Sequence, residues 1–483
     1  MKLVMAYALS SSLTGVLFAQ SIWPAPRHDN QATGLAPVAG PRIAALDRSE
    51  VILTGEGVNF SPGPLVVDGY TVYIASGGSG GSSPNYRVHA VDSRSGATLW
   101  VRPGIRPNVA ADGKVIVTAV QTNLDPMLPG QVIAYNPDGS TAWTWQTPIN
   151  SAGTFGATIA PDGSIYGSYY SQPQQGSIYT GVMRFKLDAN GRLQWHVGGG
   201  VSEYQGGPLS SPLILSNGDL IWNGTHQGNS CPGIRRISAS SGAVQWALTC
   251  NADSSIILSG DIIASMEPFG ASWAITGRHA GDGHVLWRGP TLPTLSGSPG
   301  PLALLPNGEI VCVYGRIYRF SPVNGSIVVS FPAPSSVPGG LAGGSPVVSA
   351  DGIVYFWRGG EFRYSGRLYA MDGMSGATLF EYPNNDFSCR GATQPVLMPD
   401  GSLFLAWLNK AVCNDFSGVV QHVTISGPGC VADFNRDGLT DFFDYLDFVA
   451  AFGSNLPVAD INGDRVVDLF DYLDFVEVFS TGC

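Results

Sequence analysis

Between Leu65 and Ala406 the chain repeats one pattern: a short apolar run, a tight polar turn, and a second apolar run. It reads PLVVDGYTVYIA at 64–75, ATIAPDGSIYGS at 157–168, PLILSNGDLIWN at 212–223, PVVSADGIVYFW at 346–357 and PVLMPDGSLFLA at 395–406. Asp-Gly and Asn-Gly supply the positive φ angles of a tight hairpin, so a two-residue turn is expected in each unit. A second hairpin follows and often closes on Trp, as in VHAVDSRSGATLW at 88–100 and MRFKLDANGRLQW at 183–195. Two hairpins give four antiparallel strands, and a recurrence of about 40 to 50 residues is the arithmetic of propeller blades.

The first-hairpin turns fall at Asp68, Asp112, Asp162, Asn217, Gly260-Asp261, Asn307, Asp351 and Asp400. The last unit has only one further strand, around Val419 to Ile425, and Ile43 to Thr54 offers a spare one. The expected fold is therefore all-β: an eight-bladed propeller of four-stranded antiparallel blades, closed by the N-terminal strand so that no edge stays open. Trp100, Trp143, Trp195, Trp246 and Trp287 recur at one place per unit. They are expected to pack between neighbouring blades and to contribute an indole donor there.

The unit A-x-D-x-x-[ST]-G-x-x-x-W resembles the pyrroloquinoline-quinone-type repeat of quinoprotein dehydrogenases and of an outer-membrane assembly lipoprotein. The lead-in WPAPRHDNQATG at 23–34 is similar to that of many secreted propellers, and the resemblance runs over residues 22–427. It implies architecture more than activity. Quinoprotein alcohol dehydrogenases carry an adjacent Cys pair against the quinone; this chain has none, and no quinone is expected. No catalytic residue emerges elsewhere. The seven His (28, 89, 196, 226, 279, 284, 422) show no His-x3-His spacing. His279 and His284 flank Gly281-Asp282-Gly283 and read as a hairpin rather than a metal pair. There is no Gly-x-Ser-x-Gly elbow, and the glycine-rich stretch 77–83 lacks the Lys of a phosphate loop. Arg27, His28 and Asp29 are consecutive and would point apart in extended chain. Carboxylates from separate blades could still pair across a rim, which spacing does not reveal.

Composition agrees with short strands: Gly 63, Pro 34 and only 13% charged residues. The net charge of −11 argues against nucleic acid as partner. Met1 to Ala19 has Lys2 followed by an apolar run with Ser10, Ser11 and Ser12, and reads as a signal peptide over 1–19. No transmembrane segment is expected after it. Seven Cys in an exported chain suggest disulfides, with Cys231–Cys250, Cys389–Cys413 and Cys430–Cys483 as the sequence-adjacent pairs. Cys312, in an apolar run, reads as a buried free thiol.

The acidity is local. Between Cys430 and Cys483, ten Asp and one Glu face Arg436 and Arg465, giving −9 of the −11. Over 428–483 two twelve-residue loops, 27 residues apart, each run into a FDYLDFV helix. Asp433, Asn435, Asp437, the carbonyl of Leu439, Asp441 and Asp444 fill positions 1, 3, 5, 7, 9 and 12 of a calcium loop; Asp460, Asn462, Asp464, Val466, Asp468 and Asp471 repeat the set. Two Ca²⁺ sites are expected, the second weaker because Arg465 stands where Gly would relieve a positive φ. Phe442, Tyr445, Leu446, Phe448, Val449 and Phe452 lie on one helical arc, expected to be the buried face.

Asp at position 12 and the missing incoming helix make the module similar to type I dockerin repeats. That resemblance implies attachment to a cohesin-like or cell-surface protein, with Phe442, Phe443, Leu469 and Phe470 at the recognition positions. Core packing competes for Phe442 and Leu469; Phe443 and Phe470 are read as partner-facing. The chain thus reads as a signal peptide (1–19), a propeller (20–427) binding a glycan or protein, and a dockerin-like calcium module (428–483), secreted or held at a cell surface. The alternatives are a secreted carbohydrate-active enzyme, a polysaccharide hydrolase or lyase, and a relative of the quinoprotein dehydrogenases.

Overall fold

The structure is a computed structural model. It describes the sheets and short turns between Pro24 and Ser426 and most of 432–481. Residues 1–23, 26–28, 30–31, 43–44, the longer inter-strand segments (among them 54–64, 77–86, 120–129, 199–210, 224–232, 249–255, 333–345, 384–393 and 410–418), 427–431 and 482–483 lie outside the described residues. The signal-peptide reading, Arg27, His28 and all six Cys of the three disulfide pairs fall there.

The chain folds as an all-β propeller of four-stranded antiparallel blades, with two helices after them. Seven sheets each use four consecutive strands: sheet 1 (Leu65–Pro103), sheet 2 (Ile105–Gln146), sheet 3 (Ser151–Gly198), sheet 4 (Leu213–Ala247), sheet 5 (Ile256–Leu292), sheet 6 (Leu302–Pro332) and sheet 7 (Val347–Pro383). A further sheet, sheet 8, is composite. Its strands Val396–Leu397, Leu403–Asn409 and Val419–Ser426 are joined by Ala45–Leu53, which pairs antiparallel with Val419–Ser426 from Ala45 opposite Ser426 to Leu53 opposite Val420.

Period-two alternation explains why the first strand of a blade is apolar on both faces. In sheet 5, Ile256 and Leu258 pack with Leu213 and Ile221 of sheet 4, while Ile257 packs with Leu302 and Tyr314 of sheet 6. The same sharing joins each sheet to the next. Ile353 of sheet 7, Leu397 and Phe404 of sheet 8, and Val67 and Ile74 of sheet 1 fall in one cluster, which closes the ring. Cys312 is free and buried in the cluster between sheets 5 and 6, and burial pushes its thiol up to about 12.

A two-residue turn forms at Gly260-Asp261 as expected, and in sheet 1 at Gly69-Tyr70, one residue beyond the expected Asp68-Gly69: Ser259 faces Ile262 and Asp68 faces Thr71. The other six first hairpins differ. In sheet 3, Gly163 N–H donates to Ala160 O at 2.8 Å and Ala160 N–H to Ser164 O at 2.8 Å, a three-residue loop with glycine at its left-handed position. Asp162 Oδ1 accepts from Ser164 N–H at 2.9 Å. The Asp therefore closes the turn from the side, and Gly163 alone supplies the positive φ of 79°.

The segment after Pro24 runs across the first strands. Pro24 O accepts from Val109 N–H of sheet 2 at 2.7 Å, and Thr33 O from Leu304 N–H of sheet 6 at 2.8 Å. Gly34 and Ala36 then bond to Val348 of sheet 7 at 2.8 and 2.7 Å. In chain order sheets 2 and 6 are four apart, so this lead-in straps opposite parts of the ring together.

Candidate functional site

Each closing Trp is a staple. Trp100, Trp143, Trp195, Trp246 and Trp287 donate through Nε1 to Pro137, Ala189, Ala239, Ala280 and Pro322 O, at 2.9, 3.1, 3.0, 3.3 and 2.9 Å. Each acceptor lies in the turn between the third and fourth strands of the next blade. The indole covers the left-handed glycine of that turn, so a Cβ on Gly139 would stand 2.6 Å from Trp100 Cγ. The aromatic spacing is a blade-to-blade joint.

Three carboxylates of the blades, Glu267, Asp219 and Glu309, are tied to arginines. Glu267 meets Arg278 at 3.0 Å and Arg288 at 3.4 Å, and Asp219 meets Arg236 at 2.7 Å. Glu309 accepts from Arg319 Nε at 2.6 Å. Arg236 and Arg319 also donate to backbone carbonyls of the next blade, Gly281 at 3.2 Å and Met374 at 2.9 Å. These acids are engaged as joints between strands and blades.

In the C-terminal segment, α1 (Phe442–Gly453) and α2 (Leu469–Thr481) start alike. Asp441 Oδ1 accepts from Phe443 N–H and Asp444 Oδ2 from Asp441 N–H, both at 2.8 Å; Asp468 and Asp471 repeat both bonds at 2.8 Å. Each start is a capping box with an acidic residue at N3, satisfying amides that the helix leaves open. The helices meet at residues 27 apart: Phe448 stacks on Phe475 with centroids 3.9 Å apart and planes at 9°, and the hydroxyls of Tyr445 and Tyr472 lie 3.1 Å apart. That bond raises the Tyr445 pKa. Phe434 seats edge-on against Phe448 and Phe475 at 5.4 and 5.9 Å.

Of the proposed calcium ligands, Asp433, Asn435, Asp437, Leu439, Asn462 and Asp464 lie outside the described residues, as does Arg465. Asp441, Asp444, Asp460, Val466, Asp468 and Asp471 are described; Asp444 and Asp471 are fully buried and Asp460 is 6% exposed. An all-oxygen acidic donor set with buried carboxylates suits a hard dication.

The expected buried arc of α1 needs correction. Phe442, Leu446 and Val449 are exposed, whereas Asp444, Phe448 and Ala451 are buried and Tyr445 and Phe452 half-buried. A single partner helix covers only a narrow stripe, and that stripe is centred on Phe448. The four recognition positions are all open: Phe442 65%, Phe443 63%, Leu469 64% and Phe470 65% exposed. The core-packing alternative for Phe442 and Leu469 does not hold.

One grouping was missed. His279 Nδ1 and His284 Nδ1 both approach Asp282 Oδ1, at 2.9 and 2.6 Å. The hairpin reading of that stretch stands, yet the turn brings its three side chains to one point. The sequence signal was the presence of two His where equivalent turns carry Asp, Asn, Ser, Ala or Arg.

Residues 84–256 match the family described as outer membrane protein assembly factor BamB. No curated protein matches the chain. The computationally designed Ika8 protein is similar in fold, with a TM-score of 0.50 and 13% identity over 78% of this chain and 100% of that one. BamB from Moraxella catarrhalis gives a TM-score of 0.47 and 13% identity over 79% of this chain and 97% of that one. Together with the sheet order, the match gives a PQQ-like β-propeller. No described helix is long and apolar enough to cross a membrane.

Proposed function

We propose that this is an exported propeller with a binding or scaffolding role, held to a cohesin-like or cell-surface partner by a calcium-dependent dockerin-like module at 428–483. The observation that carries the reading is the pair of matching helix starts. Each sets a buried Asp at loop position 12 (Asp444, Asp471) beside two exposed apolar residues, Phe442 and Phe443 or Leu469 and Phe470. Large apolar side chains left in water at the same place on both repeats suit a protein partner. Asp433, Asn435, Asp437, Leu439, Asp441 and Asp444 would hold one Ca²⁺, and the six counterparts from Asp460 to Asp471 the other. The ion would order the loops ahead of each helix, so attachment would follow calcium.

For the propeller itself, a glycan or protein ligand fits better than catalysis. Glu267, Glu309 and Asp219 are held by arginines, and the lead-in from Pro24 to Val38 crosses the first strands of three sheets. The test is retention of the full chain on surface fractions of the cells that make it, with Ca²⁺ and with a chelator. Calcium-dependent retention supports the reading; retention indifferent to chelation overturns the anchoring role.

A further inference from the structure

We propose that the turn between the third and fourth strands of sheet 5 is a binding site for a divalent transition-metal cation of the zinc or copper type, held by His279, Asp282 and His284. Among the described residues, the ligand atoms of these three lie within 4.8 Å of one another. The imidazole rings stand 5.3 Å apart on either side of the carboxylate. In a tetrahedral site with metal–ligand bonds of about 2.0–2.2 Å, neighbouring ligand atoms are about 3.3 Å apart. The two imidazoles would move outward from Asp282 Oδ1 by roughly half an ångström. Their side chains, 41% and 56% exposed, have room to do so.

The repeat itself provides the control. Equivalent turns begin with Asp92, Asn136, Asp188, Ser238, Ser321 and Asp372. Where that residue is Asp it closes its own turn: Asp92 Oδ1 accepts from Ser95 N–H at 2.9 Å and Asp372 Oδ1 from Ser375 N–H at 2.7 Å. In sheet 5 the closing role has moved to Asp282, which accepts from His284 N–H at 3.2 Å as Asn324 does from Ser326 N–H at 3.0 Å. Neither imidazole is needed to close the hairpin.

The site is also held in shape from the neighbouring blade. Arg236 donates to Gly281 O at 3.2 Å and Trp246 to Ala280 O at 3.3 Å. Gly281 lies against the His279 ring, where a Cβ would come within 2.5 Å of Cε1. Two imidazoles with one carboxylate are borderline donors, which favour Zn²⁺, Cu²⁺ or Ni²⁺ over Ca²⁺. Three protein ligands leave the remaining positions to water or to a group on another molecule.

The test uses the full chain with its C-terminal loops saturated with Ca²⁺. Zn²⁺ is titrated by calorimetry and Cu²⁺ is read by electron paramagnetic resonance. The comparison variant H279N/H284S carries residues that equivalent turns already use at these places; H284S alone serves if the double variant does not fold. The expected result is one Zn²⁺ equivalent that weakens at least about tenfold in the variant, and a Cu²⁺ spectrum with nitrogen coupling that the variant loses. Unchanged affinity and spectrum in the variant, or no saturable binding by the parent chain, would overturn the proposal.

Discussion

The indole Nε1 of Trp100 donates to the carbonyl oxygen of Pro137 at 2.9 Å, and the ring lies over Gly139 of the same turn. One side chain thus ties the outer strand of one blade to the outer turn of the next. Trp100→Phe keeps most of the packing and loses the bond, an expected cost of about 1 kcal/mol. Gly139→Ala should cost more: φ is +80° there and the new Cβ meets the indole at 2.6 Å, about 2 kcal/mol or more in all. Guanidinium unfolding of the two variants checks the order; a milder effect for Gly139→Ala would contradict this joint.

Calcium removal should act on the C-terminal module and spare the sheets. Clustered carboxylates repel, and two helices sharing a core around Phe448 and Phe475 have little else to offset that repulsion. Chelation is expected to reduce the helical circular dichroism and open 432–481 to protease, while strand signals persist. Asp444→Asn should weaken the first site and Asp471→Asn the second. The second site is expected to be the weaker in the unaltered protein, because Arg465 holds its sixth position. A module that stays helical and resistant in chelator would end the calcium argument.

Phe443→Ser with Phe470→Ser separates recognition from folding. Both side chains are about two-thirds exposed, so stability should change by less than about 0.5 kcal/mol. Calcium-dependent retention on the partner surface should fall sharply. Full retention would remove these residues from the interface.

Acid should weaken sheet 1 through His89. Burial, with Arg87 adding to it, lowers its pKa from 6.5 to about 4. The unfolded chain then binds the extra proton between these values, so this contribution is complete above about pH 6.5 and declines as pH falls toward 4. The shift corresponds to about 3 kcal/mol as an upper figure. Denaturation of the parent chain and of His89→Gln, followed by tryptophan fluorescence at pH 7 and 4.5, should show less acid sensitivity in the variant. Equal sensitivity would mean that other groups govern the acid response.

Strand order was legible because it rests on local chemistry: Asp-Gly turns, alternating apolar runs and one aromatic per unit announce themselves within a dozen residues. Turn geometry was less so. Asp162 and Gly163 look like a two-residue loop in sequence, yet Pro161 joins them when Ala160 pairs with Ser164. The α1 arc misled for a related reason. Hydrophobicity marks where a residue could be buried, and Phe442 stacks on Tyr445 yet stays 65% exposed. Convergence of His279 and His284 on Asp282 depends on how tightly Gly281 and Gly283 bend the chain, which residue spacing does not state.

Pairing of Ala45–Leu53 with Val419–Ser426 also governs the order of assembly during synthesis. The first strand must wait for a partner made more than 360 residues later, and long-range closure of this kind is slow. Seven blades can form as the chain emerges, but the last seam cannot be sewn until nearly the whole polypeptide has been delivered.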